Sequence, residues 1–226
     1  MGTFAKPITK HEHISWTDSQ RFSSVAVAGI AAAGLEMRVV NSEDFSVTLP
    51  NDGVAQGELL VRGPWVTSRY YKVDKPDAFV QPGNWLATGD VASIDPAGNL
   101  IICDRSKDVI KSGGEWISSI DLEKHIAAVA AVAAVAVVAQ PHPKWDERPV
   151  CVVTLSPGAD ASSVTTEAIR LFCADSFAKY ELPDEVLVWD ALPMTGTGKV
   201  DKKKIRATLA DVGYLLPDLR KSKAKL

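Results

Sequence analysis

The sequence is short of the features that mark several protein classes. Its three cysteines, Cys103, Cys151 and Cys173, are widely spaced over 226 residues and form no C-x-x-C pair. A disulfide framework is a poor fit to that pattern, and a reduced, cytoplasmic compartment a better one. The longest apolar run, IAAVAAVAAVAVVA at 126–139, has 14 residues, too few to span a bilayer. It reads instead as a helix end, a turn and a buried strand, so no transmembrane segment is expected. The opening MGTFAKPITKHEHISW is polar, with no apolar core of the kind a signal peptide needs. His11 and His13 in HEH have no further ligands nearby, and no metal site is expected there. A net charge of −3 gives no bulk attraction to nucleic acid.

What is present suits an ordinary globular chain, with 46% hydrophobic and 23% charged residues. The length allows one large domain or two smaller ones. Charge is uneven: from Thr195 onward, seven lysines and two arginines face three aspartates, a local charge of about +6. A solvated helix face that includes Lys202, Lys203 and Lys204, followed by a frayed tail, accounts for it.

Two grammars divide the chain. Residues 1–34 show little regular pattern. From Leu35 to Asp104, β signals dominate: LEMRVV (35–40), FSVTLP (45–50), GELLVRG (57–63) and a strand after the turn at Pro96–Gly98. After Asp104, helix and strand alternate. Ser118 with Asp121 three places on begins a helix carrying Ile120, Leu122 and Ile126. AVAVVAQ, PVCVVTLS and DEVLVW read as strands, and Ile169, Phe172, Cys173 and Phe177 fall at helical spacing. Asp201 caps a last helix with Ile205, Leu209 and Val212 on one stripe and Gly213 as its stop. The fold class is therefore α+β, a β-rich part of short strands followed by a small α+β domain, with the boundary near DRSKD.

Four stretches carry possible chemistry. In GNWLATGD, Asp90 follows a glycine turn; a carboxylate held there can accept two hydrogen bonds side by side, as from a ribose diol, or simply close the turn. DRSKDVIKSGGEW crowds Asp104, Arg105, Lys107, Asp108 and Lys111 into eight residues, a linker or a hinge. Gly113 and Gly114 permit positive φ or close backbone approach, and Trp116 follows. QPHPKWDERP (140–149) reads as a crossover loop with Glu147 and Arg148 on its rim. LPMTGTGKVDKKKIR looks at first like a phosphate loop, G-x-x-x-x-G-K-[ST]. The position five before Gly198 is Pro193, however, and Val200 follows Lys199, so the pattern fails at both ends.

Taken in order, GELLVRGPWVTSRYY, GNWLATGD, DRSKDVIKSGGEWISSIDLE, PHPKWDERP and LPMTGTGKVDKKKIR resemble the motifs of the adenylate-forming enzymes, the superfamily of acyl-CoA synthetases, luciferases and peptide-synthetase adenylation domains. SGGEWISSIDLE with PHPKWDERP is most similar to the medium- and long-chain fatty-acyl-CoA synthetase branch. The resemblance runs from about Leu35 to Leu215.

It implies an ATP-dependent acid–thiol ligase of fatty acid metabolism, using ATP, magnesium and coenzyme A. A fatty acid would form an acyl-adenylate, and coenzyme A would then take the acyl group. Residues 35–104 would be the last, β-rich subdomain of the large AMP-binding domain, 105–108 the hinge and 109–226 the C-terminal lid domain. By resemblance, Asp90 binds ribose, Arg105 supports it and Trp116 faces the nucleotide. Lys107 and Asp108 lie in the hinge, and Gly113 and Gly114 face coenzyme A. Lys199 is the adenylation lysine, and Lys111 assists catalysis. The family's N-terminal phosphate loop and its magnesium-holding Thr-Glu segment are absent from residues 1–90. The chain thus reads as the C-terminal part of a synthetase, incomplete as a catalyst alone and needing the missing N-terminal domain, with self-association expected of its exposed apolar surface. The alternative is a non-catalytic nucleotide- or partner-binding remnant.

Overall fold

The computed structural model describes residues 3–4, 15–18 and 27–223, so His11 and His13 lie outside the described residues. The protein is α+β and forms two compact units, Met1–Lys107 and Asp108–Leu226.

Unit 1 is built on an antiparallel sheet. Its strands are β3 (Glu36–Val40), β4 (Gly57–Arg62), β5 (Phe79–Val80), β6 (Trp85–Ile94) and β7 (Leu100–Arg105). The order is β3-β4-β6-β5, with β7 also on β6. A separate two-stranded sheet joins β1 (Thr3–Phe4) to β2 (Ile30–Ala31). One face of the larger sheet packs Leu35, Val39, Leu59, Val61, Ile94 and Leu100 together. The other centres on Val40, Leu60 and Trp85, with the Arg38 and Arg62 guanidinium groups each 4.4 Å from the Trp85 ring. FSVTLP does not form the strand its composition suggests. Asn41 and Asp44 accept backbone N–H bonds from Glu43 and Ser46, a local turn that competes with a ladder. Only Thr48 then bridges to Val40.

Unit 2 begins with the hairpin of β8 (Ile110–Ser112) and β9 (Glu115–Ile117) and helix α1 (Ser119–Ile126). Strands β10 (Val132–His142) and β11 (Asp146–Leu155) follow, then α2 (Thr166–Cys173), β12 (Glu185–Val188), α3 (Lys202–Asp211) and α4 (Pro217–Lys223). The sheet order is β10-β11-β8-β9, with β12 parallel to β11. Val137, Cys151 and Val153 pack on the side of α1 and α2. Their neighbours Ala136, Val138 and Val152 pack on the side of α3. A strand covered on both faces reads as a continuous apolar run, which accounts for AVAVV.

Three further sequence expectations change here. Residues 140–149 are not a crossover loop: Pro141 pairs with Glu147 and His142 with Asp146, so the segment is the tip of the β10–β11 hairpin. Arg148 is not on a rim but 8% exposed. Val212 is 72% exposed, because α3 ends at Asp211 and Gly213, at φ 64°, turns the chain away.

Candidate functional site

In unit 1 the glycine turn before Asp90 is anchored from beneath. Gly89, at φ 71°, donates its N–H to Glu58 Oε1 at 2.9 Å, and Glu58 also accepts from the Ser106 hydroxyl. Ser106 N–H returns to the Gly89 carbonyl at 3.0 Å. Thr88 Oγ1 accepts the Asp90 N–H and donates to the Leu59 carbonyl. The Asp90 carboxylate is thus held midway along β6 at 5% exposure. Arg105 lies opposite it across β6 and β7 and forms an ion pair with it, its Nε 2.9 Å from Asp90 Oδ1. Oδ2 has no partner among the described residues, so an oxygen stays open to a donor such as a hydroxyl. Composition alone gave Glu58 no role. Its signal in the sequence was a carboxylate inside the apolar strand GELLV.

Lys107, exposed, closes unit 1, and Asp108 opens unit 2. Asp108 is 9% exposed and its Oδ1 accepts from Arg206 of α3 at 2.9 Å. The first residue of unit 2 is therefore fastened to the helix that follows the Lys199 loop.

Gly113 and Gly114 form a two-residue turn with φ of 63° and 90°, between the paired residues Ser112 and Glu115. Positive φ at both central positions is what such a turn requires and what glycine supplies. Lys111 and Trp116 face each other across this hairpin, with Lys111 Nζ 5.9 Å from the Trp116 ring. Trp145 lies over the turn: a Cβ added at Gly113 would sit 3.1 Å from its ring.

Beside this turn is a cavity of about 570 Å3, whose lining includes Ser112, Gly113, His142, Trp145, Arg148 and Tyr180. His142 Nδ1 accepts the N–H groups of Lys144 and Trp145. Its hydrogen is thereby placed on Nε2, which donates to Asp218 Oδ2 at 2.8 Å. That bond holds the Asp218 carboxyl below its ordinary value despite some opposing burial.

Lys199 is exposed at the end of a small closed loop. Thr195 N–H bonds the Lys199 carbonyl at 2.7 Å and Gly198 N–H the Thr195 carbonyl at 3.0 Å, while Thr195 Oγ1 accepts the Lys199 N–H. Lys199 makes no ion pair among the described residues. Asp201 then caps α3 by accepting from Lys204 N–H. Lys202 does not belong to a solvated face: its Nζ is 2.7 Å from both Glu123 Oε1 and Ser119 Oγ. The structure thus builds an Asp90–Arg105 pair in unit 1. In unit 2 it builds a Lys111–Trp116 hairpin with its glycine turn and, separately, a Lys199 loop.

These features define a class. Residues 121–199 match the AMP-binding enzyme C-terminal domain, and the chain belongs to the adenylate-forming superfamily. It is 43% identical over 211 residues to the 3-methylmercaptopropionyl-CoA ligase of Ruegeria lacuscaerulensis, covering 93% of this chain and 38% of the relative. With the medium-chain-fatty-acid–CoA ligase of Ectopseudomonas oleovorans it shares 38% identity over 211 residues, 93% of this chain and 37% of that one. The crystal structure of ATP-bound MatB from Rhodopseudomonas palustris superposes with a TM-score of 0.71 at 28% identity, over 82% of this chain and 36% of that one. The chain therefore spans well under half the length of the relatives it matches.

Proposed function

We propose that this chain supplies the last β-rich subdomain and the C-terminal lid of an ATP-dependent carboxylate–CoA ligase acting on a medium-chain or similarly small acyl substrate. Asp90 carries the reading: a buried carboxylate, gripped at one oxygen by Arg105 and open at the other, suits the two hydroxyls of a ribose. Within unit 1, residues 35–104 are the nucleotide-facing subdomain; residues 105–108 are the hinge and 109–226 the lid. Similarity to the medium-chain and 3-methylmercaptopropionyl ligases supports that acyl class.

In the first half-reaction the substrate carboxylate attacks the α-phosphorus of ATP and pyrophosphate leaves. Lys199, on its closed loop and with no ion pair among the described residues, meets the charge that builds on the carboxylate and phosphate oxygens. In the second, the coenzyme A thiol attacks the adenylate carbonyl and AMP leaves. The Gly113–Gly114 turn, open where a Cβ at Gly114 would go, lines the thiol's path, with Trp116 toward the nucleotide and Lys111 beside it. Rotation about Lys107–Asp108 exchanges the two arrangements, and the Asp108–Arg206 pair makes Asp108 move with the lid. The described residues assemble no group of three or more His, Cys, Asp or Glu side chains to hold a metal ion, so no step is assigned to magnesium through them.

The test is pyrophosphate release from ATP, magnesium, coenzyme A and a panel of fatty acids and short thioether acids. It is run on the chain alone and with the N-terminal remainder of the Ruegeria relative added. Release is expected only with both parts, and Lys199→Ala should abolish it. Release by the chain alone would make it a complete catalyst. No release in either case would make it a non-catalytic nucleotide- or partner-binding module.

A further inference from the structure

The turn assigned to coenzyme A is two consecutive glycines, the most flexible pair a chain can place at a reacting centre. Its usefulness depends on being held. Three contacts fasten it to the start of β11. Gly113 N–H bonds the Trp145 carbonyl at 2.8 Å, and Lys111 N–H bonds Glu147 Oε2 at 2.9 Å. The third comes from a buried guanidinium: Arg148 Nη1 donates to Ser112 Oγ at 2.9 Å.

Arg148 is only 8% exposed, yet all three of its nitrogens are engaged. Nε and Nη2 fork onto Asp184 at 3.0 and 2.7 Å. Further bonds go to the carbonyls of Tyr180 and Leu182 at 2.5 and 3.3 Å. The Asp184 fork and the two carbonyls anchor the guanidinium to the loop before β12, offsetting its desolvation. The remaining bond points at the residue beside Gly113. A lysine has neither the reach in two directions nor the planar fork.

We propose that Arg148 is a positioning residue for thioester formation: braced by Asp184, it sets through Ser112 where the Gly113–Gly114 turn points. The proposal rests on the reading of that turn as coenzyme A-facing. Arg148 acts on the turn and does not itself touch the thiol.

The experiment is amide hydrogen exchange on the 226-residue chain, free and with coenzyme A, read at residues 112–115. Ser112→Ala removes only the bond from Arg148. It should raise exchange at the turn about tenfold, the worth of one hydrogen bond to a charged group, and weaken protection by coenzyme A by a similar factor. Ser112→Thr keeps the hydroxyl and should restore both. Arg148→Lys should behave as Ser112→Ala at the turn. Unchanged exchange at 112–115 in Ser112→Ala, or a lowered melting temperature with no local change, overturns the proposal and makes Arg148 merely structural. If the turn loosens but coenzyme A protects nothing in the unmutated chain, the reading of the turn has failed, and the thioester role goes with it.

Discussion

Both units rest on a five-stranded sheet, but they complete it differently. In unit 2, helices α1 and α2 cover one face and α3 the other. Charged side chains are then drawn into pairs: Lys202 with Glu123, Arg206 with Asp108, Arg148 with Asp184. Among its described residues, unit 1 covers its second face with a few side chains around Trp85. It leaves Trp65, Tyr71 and Val54 at 76, 84 and 77% exposure. The difference shows where each unit draws its order from. Unit 2 braces its glycine turn with its own buried charges. Unit 1 braces Asp90 with a local hydroxyl and carboxylate network and leaves apolar side chains in the open.

The comparison breaks most visibly in the core. Leu122, fully buried on α1, packs within the unit 2 cluster. Leu122→Ala should cost that unit about 2–5 kcal/mol, read as faster exchange in β10 and β11, while β4 and β6 keep their protection. Loss of protection in both would mean that the two cores unfold as one.

A smaller effect sharpens the account of unit 1. Gly89 has φ 71° and open space where a Cβ would go, so Gly89→Ala meets no clash and costs only the left-handed conformation, about 1–2 kcal/mol. A denaturant titration of unit 1 should show that loss, with Arg105 no longer shielding Asp90 from solvent. A neutral result would mean that the Glu58 and Ser106 bonds do not hold the turn.

The smallest effect is electrostatic and belongs to unit 2. Asp218 has a lowered pKa because His142 donates to it. Its contribution is therefore present above the ordinary value of 3.8 and lost as pH falls through the lowered folded value. The Asp218 side chain is 60% exposed, so solvent screening limits the gain to less than about 1 kcal/mol. Asp218→Asn should lower the urea midpoint slightly near neutral pH and leave it unchanged well below the folded pKa. A constant difference across that range would assign the effect to packing of α4.

Much of this was legible in the residues. Ser118 and Asp201 cap their helices by accepting N–H bonds three residues on, a signal carried within one turn of chain. The glycine pair and the strand after Pro96–Gly98 were equally local. FSVTLP misled because its β-forming side chains lie between an Asx turn and a proline, which leave room for one bridge.

What the sequence by itself determined is what short range controls: caps, turns, alternation and the order of motifs that places the chain in its superfamily. Only the tertiary structure decided which charges are solvated. Arg148 meets Asp184 across 36 residues and Arg206 meets Asp108 across 98. A lysine or arginine in a polar stretch looks the same whether water or a carboxylate will receive it. The physical reason is that desolvation and pairing are settled by what folds against a side chain, and no periodicity within its own segment records that partner.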